Sequence, residues 1–146
     1  ALDVPGKPPL YLEGDIHGCP EHNIALLFAQ EGSARHCGYA PCVGGMNDSV
    51  TRLLKDSDCL FFDGTFWADD ELSSLGISTR TARDMAHWPL GGVDGSLHTL
   101  AAAPDARRLL IHLNNTNPVL REDSPERKET DRAGLEVAYD GLEICV

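Results

Sequence analysis

The chain has no basic surplus, no long apolar run and no paired cysteine motif, and each absence removes a class of function. Twelve Lys and Arg stand against 23 Asp and Glu, giving a formal net charge of −11. A nucleic-acid backbone needs a basic footprint, so nucleic-acid binding is excluded as an expectation. The acidic residues are spread along the chain, which reads as solubility. No apolar run approaches the roughly 20 residues that span a bilayer, and no basic-then-apolar start marks a signal peptide. No membrane insertion is therefore expected. The five cysteines, Cys19, Cys37, Cys42, Cys59 and Cys145, are odd in number and include no CxxC pair. Reduced thiols in a cytoplasmic protein are the expectation, although Cys37 and Cys42 could bridge. Internal repeats and low-complexity tracts are absent. The chain begins at Ala1 rather than at methionine, which leaves a processed, trimmed or partial chain open.

What is present is an ordinary globular composition, 42% hydrophobic and 24% charged over 146 residues. A complete domain of that size buries roughly 70% of its unfolded surface. Residues 1–22 are rich in Pro, Gly and polar groups and read as irregular loop. Residues 23–30 read as a buried strand, 31–33 as a turn and 34–40 as a second, antiparallel strand. Asn47 is a good N-cap for a helix over 48–56, with Val50, Leu53 and Leu54 on its apolar face. Cys59 to Phe62 is a short apolar run that delivers Asp63 at its C-terminal end. Helices are expected near 69–74, 79–86 and 95–103. Leu109 to Ile111 forms the next strand, ending in His112 and the polar run Asn114, Asn115, Thr116, Asn117. Ser124 caps a helix to about Ala133, with Gly134 at its C-cap. Residues 136–139 and 143–145 are expected as a hairpin around Asp140 and Gly141. This order implies an α/β (α+β) arrangement, a mixed sheet with helices on one face, resembling half of a two-layer sandwich.

Three groups stand at strand ends or beside them: His22, Asp63 and His112. In α/β sheets ligands bind at the C-terminal strand edges, which places Asp63 and His112 well. Imidazole with carboxylate suits Zn, Fe or Mn. A single strand-end histidine is just as compatible with a structural hydrogen bond. His87 fits a general acid or base, a group orienting Asp63, or a surface loop histidine. His17, Cys19 and His22 form a small cluster whose donor types can bind metal, a weak signal without a second cluster. Asn114 to Asn117 fit a tight turn built by side-chain to backbone hydrogen bonds and also recognition of a polar substrate.

The stretches FFDGTFWADDEL, AHWPLGGVDGSLHTLA and LLIHLNNTNPVLREDSPER followed by AGLEVAYDGLEI resemble the coenzyme pyrroloquinoline quinone (PQQ) synthesis protein B family. The resemblance covers roughly Gly38 to Ile144, and IHLNNTNP followed by DSPER is its most specific part. It implies a metallo-β-lactamase-like αββα sandwich of which residues 1–146 are one partial domain, the C-terminal half. The missing N-terminal half would hold a structural zinc site and most active-site ligands. His112 matches the family's C-terminal metal ligand. Asp63-Gly64-Thr65-Phe66 and His87 resemble the Glu-Ala-Thr and His-Ser-Thr elements of related phosphodiesterases. That leaves Asp63 and His87 as the catalytic pair, His112 and His22 as metal ligands, and Asn114, Asn115 and Asn117 as substrate-binding groups. Related two-metal hydrolases carry a bridging carboxylate where this chain has Tyr39-Ala40-Pro41-Cys42-Val43-Gly44, so one metal is implied. The family places His and then Asp where Cys19 and His22 stand.

The implied activity is PQQ biosynthesis, by mononuclear Fe(II)-dependent, O₂-using hydroxylation of a tyrosine-derived small-molecule or dipeptide precursor, and the one divalent metal implied is Fe(II) or Zn. Other PQQ-biosynthesis proteins are possible partners. The alternatives are a carrier that moves or releases PQQ or its precursor, and a metal-dependent hydrolase. A half-sandwich would leave an apolar sheet face uncovered, an aggregation hazard, and would be inactive alone.

Overall fold

In the computed structural model, residues 1–8, 12, 22–103 and 106–146 are described. A six-stranded mixed sheet is formed by β1 (Leu2–Asp3), β2 (Ile24–Ala29), β3 (His36–Ala40), β4 (Cys59–Asp63), β5 (Arg107–Ile111) and β6 (Leu135–Val137). The strands lie in sequence order. The first three are antiparallel neighbours, and β3 to β6 are parallel. Among the described residues four helices connect them: α1 (Asp48–Asp56), α2 (Glu71–Ser74), α3 (Ser96–Ala102) and α4 (Pro125–Arg132). The mixed α/β sheet agrees with the expected fold class.

Alternation along the strands sorts the sheet into two faces. Ala25, Ala40, Leu60, Phe62, Leu110 and Leu135 share a core with Val50, Leu53 and Leu54 of α1 and with Leu97 and Leu100 of α3. Gly38 makes this packing possible. A Cβ there would meet Ser57 Oγ at 2.4 Å and the Leu53 side chain at 3.1 Å, so glycine lets α1 approach β3. The other face carries Ile24, Phe28 and Tyr39, which remain 40%, 52% and 40% exposed. This is the apolar, partly uncovered face that a half-sandwich predicts.

Local sequence explains the helix ends. The Asn47 side chain accepts from Val50 N and starts α1. The Ser124 side chain accepts from Arg127 N, with Pro125 at the first helical position of α4. Three expectations change. The 1–22 stretch is not wholly irregular, because Leu2 and Asp3 pair with Ala25 and Ile24. The helix expected over 79–86 shrinks to a 3₁₀ turn at Arg83–Met85. Thr81 and Asp84 cap each other there, Asp84 accepting from Thr81 N and Thr81 Oγ1 accepting from Asp84 N. Ala86 then turns left-handed, with φ 60°, and ends the turn before a fourth helical residue. The C-terminal hairpin does not form. The turn at Asp140–Gly141 exists, with Gly141 at φ 87°. The chain then runs on without a further strand, bringing Ile144 and Val146 beside Phe28 and Cys37 on the second face. Covering that apolar face replaces pairing back along β6.

Candidate metal centre

Three parallel strands end at one edge of the sheet, and β2 starts there. β3 leads into Cys42, β4 ends at Asp63, and β5 ends just before His112. This is the edge where open α/β sheets place their ligands. The polypeptide between α2 and α3 brings His87 to the same place.

Asp63 is the hub. It is completely buried, and all four of its hydrogen bonds are internal. Oδ1 accepts from Thr65 N at 3.0 Å and from Thr65 Oγ1 at 2.6 Å. Oδ2 accepts from Val43 N at 2.8 Å and lies 2.8 Å from His87 Nδ1. Thr65 Oγ1 is also 2.8 Å from His112 Nδ1. A hydroxyl has one proton, and the carboxylate can only accept, so Thr65 donates to Asp63 and accepts from His112. His112 is thereby assigned the Nδ1–H tautomer from its partners. His87 likewise donates Nδ1–H to Asp63. One carboxylate therefore orients two imidazoles, one directly and one through Thr65. Each imidazole keeps its Nε2 free of these bonds. Such outer hydrogen bonds are how proteins fix metal-binding histidines.

The two rings lie 5.3 Å apart, centroid to centroid, with a 31° angle between their planes. Phe66 meets the edge of His87 at 5.8 Å. The His87 side chain is only 12% exposed. Burial alone pulls its basicity down, but the hydrogen bonds and charges of Asp63 and Cys42 outweigh this and push it up to about 10. In the metal-free site His87 is thus a cation paired with Asp63, and a metal must displace its Nε2 proton.

Backbone conformation points to the same place. Among the described residues, Ala86 and His112 are the two non-glycine residues with positive φ, at 60° and 57°. One is a site histidine and the other precedes one. Left-handed backbone costs roughly 1–2 kcal/mol per L-residue and collects at functional sites.

The side chains of Cys42, Asp63 and His87 place three potential ligand atoms within 4.8 Å of one another. Cys42 and Thr65 are the members that sequence reasoning missed. Cys42 had been weighed as a disulfide partner of Cys37, and both are free thiols. The signal for Thr65 was its place two residues after Asp63. His112 lies outside this group and is joined to it through Thr65, and His22, half-buried just ahead of β2 at the same sheet edge, lies outside it as well. His17 and Cys19 lie outside the described residues.

The asparagine run builds the turn that carries His112. Asn117 is buried, donates Nδ2 to Gly64 O at 2.7 Å and accepts from Val119 N at 3.1 Å. Asn114 N donates to Thr65 O at 3.1 Å, and its side chain donates to Thr116 Oγ1. Thr116 in turn donates to the buried Glu71, which also accepts from Trp67 N. Asn115 is exposed. Together these bonds clamp the 64–65 segment against the 114–117 turn and hold Thr65 beside His112.

The donor set fits a transition metal. Asp63 has spent its lone pairs on hydrogen bonds, so it fits as an anchor. Two imidazole Nε2 atoms and one thiol remain, donors that suit Zn or Fe and are poorly matched to Mg or Ca.

A family model described as the β-lactamase superfamily domain matches residues 8–113. The chain belongs to the β-lactamase superfamily. Among curated relatives, a coenzyme PQQ synthesis protein B from Cupriavidus taiwanensis is 50% identical over 127 residues, covering 87% of this chain and 42% of that protein. Its counterpart from Cupriavidus necator is 44% identical over 146 residues, covering 100% and 48%. One from Klebsiella pneumoniae is 39% identical over 146 residues, covering 100% and 47%. Among solved structures, the Zn²⁺-bound PqqB from Methylobacterium extorquens superposes with a TM-score of 0.88 at 34% identity, covering 99% of this chain and 48% of that one. The chain spans about half the length of the curated relatives it matches, and it corresponds to their C-terminal part. Superfamily and sheet architecture thus agree with the sequence reading. Among the described residues, no helix is long and apolar enough to cross a membrane.

Proposed function

We propose that this chain supplies the His112 side of a mononuclear metal site in a PQQ-biosynthesis protein B, acting as an oxygenase on a tyrosine-derived PQQ precursor. The observation that carries this reading is the Asp63–Thr65–His112 and Asp63–His87 relay, which leaves two oriented imidazoles at a sheet edge. Three further points support it: the relatives' shared name, the zinc in the Methylobacterium extorquens protein, and the absence of a bridging carboxylate in the loop after β3. That last feature favours one metal over the two-metal hydrolase arrangement.

In this reading His112 holds the metal, with His22 a further candidate from the β2 side of the edge. A bound Fe(II) would supply oxygen activation. Asp63 keeps both imidazoles aligned, one directly and one through Thr65. His87, held by Asp63 through Nδ1, presents its Nε2 to the metal as a second imidazole rather than acting in proton transfer. The polar precursor meets the exposed Asn115, while Asn114 and Asn117 fix the turn that presents it. His112→Ala, made in the protein with its native flanking sequence, is expected to abolish metal-dependent conversion of the precursor under O₂. Undiminished turnover would overturn the assignment, and tight PQQ binding without conversion by the intact protein would favour a carrier.

A further inference from the structure

We infer that Cys42 is a metal ligand, its sulfur completing a donor set with the Nε2 atoms of His87 and His112. This rests on the metal reading proposed above. It goes further by naming a soft donor in the loop after β3, which carries no carboxylate. The argument is geometric. The ligand atoms of Cys42, Asp63 and His87 lie within 4.8 Å of one another. The loop that carries Cys42 is fixed from four sides. Asn23 Nδ2 donates to Cys42 O at 2.8 Å, and Val43 N donates to Asp63 at 2.8 Å. Gly44 N donates to Pro5 O at 2.6 Å, and Trp88 N donates to Val43 O at 2.7 Å. The backbone is thus held and the thiol is delivered into the cluster. The sulfur itself makes a weaker contact, 3.8 Å to Ala86 O, which it can surrender.

Asp63 has no lone pair to offer, so within the cluster the metal-facing donors are the sulfur and the imidazole. Sulfur with two imidazoles is a three-donor set that leaves one position open, the composition of a catalytic rather than a closed structural site. A thiolate also biases the site toward Zn, Fe or Co and away from Mg and Mn.

The test uses zinc and cobalt as probes, on the protein with its native flanking sequence. The tryptic peptide 36–52 contains both Cys37 and Cys42, so mass spectrometry reads the two thiols side by side after timed alkylation. Zinc is expected to slow alkylation of Cys42 about tenfold or more while leaving Cys37 unchanged, since a coordinated thiolate is a poorer nucleophile. Cobalt substitution is expected to give a sulfur-to-metal charge-transfer increment that Cys42→Ser removes. Because the alkylation arm uses the unaltered protein, a misfolded variant does not blunt the test. Zinc bound in a His112-dependent manner, with Cys42 alkylated at its metal-free rate, would overturn Cys42 ligation and leave the metal reading standing. No zinc uptake sensitive to His112 would overturn both.

Discussion

Replacing Asp63 with Asn changes few atoms and tests the hub directly. The side chain is fully buried, and its two oxygens accept from Val43 N, Thr65 N, Thr65 Oγ1 and His87 Nδ1. An amide has one accepting oxygen and one donating NH₂. If the NH₂ takes the Oδ1 position, Thr65 can rotate its hydroxyl to accept, but Thr65 N is orphaned. If it takes the Oδ2 position, His87 can lose a proton, but Val43 N is orphaned. Either way at least one buried N–H loses its partner, which costs about 1–3 kcal/mol. The charge-assisted pair with His87 is lost as well, and breaking one member of a buried pair typically costs about 3–5 kcal/mol in total. Urea unfolding of the metal-free protein at neutral pH should report that loss. Thermal melting should fall by about 6–20 °C, at roughly 2–4 °C per kcal/mol for a domain of this size. Zinc affinity should drop about 10- to 100-fold, because the imidazoles lose their orienting partner. A loss below about 1 kcal/mol at unchanged urea dependence, with unchanged zinc affinity, would refute the hub argument.

Three other perturbations probe the same network. Ala86→Gly removes the left-handed strain next to His87 and should stabilise the fold by about 1 kcal/mol in denaturant titrations. Destabilisation there would mean that the turn depends on the Ala86 methyl. Thr65→Val breaks the link between Asp63 and His112 and should cost about 1–3 kcal/mol, with Thr65→Ser restoring most of it. Equal stability of the two variants would contradict the relay. The third is pH. His87 sits higher when folded, at about 10, than its ordinary 6.5, so its pairing stabilises the metal-free fold fully below about pH 6.5. That contribution, at most about 5 kcal/mol, is lost as pH rises from 6.5 through 10. Unfolding midpoints across this range should decline, and His87→Ala should flatten the decline. A profile that is already flat in the unaltered protein would remove His87 as its source.

The legible parts of this molecule are those set by local chemistry. Cys59 to Phe62 and Leu109 to Ile111 are apolar runs short enough to be strands, and each ends in a polar residue, so Asp63 and His112 stood out as edge groups. Asn47 and Ser124 announced their helices through side-chain caps. The Asp140–Gly141 turn was readable, but its outcome was not. Whether the last residues pair with β6 or cover the far face depends on the exposed apolar surface left by Ile24, Phe28 and Tyr39, a tertiary property. Cys42 and Thr65 were hidden for the same reason. A cysteine in a Pro-Gly loop and a threonine beside a strand end carry no periodicity. Their roles appear only when three parallel strands bring residues 42, 63–65 and 112 to one edge. Left-handed backbone at Ala86 and His112 was likewise invisible, because nothing in an alanine or histidine advertises it.

The central claim is that Asp63 and Thr65 hold both imidazoles by Nδ1 so that Nε2 faces the metal. Long-range proton–nitrogen correlation spectra of the protein, recorded during zinc titration, read this without reference to activity. The expected result is two histidines, His87 and His112, whose Nε2 resonances move to metal-bound values together while Nδ1 stays protonated. Metal-bound shifts at Nδ1, or zinc uptake that leaves both rings unchanged, would contradict it.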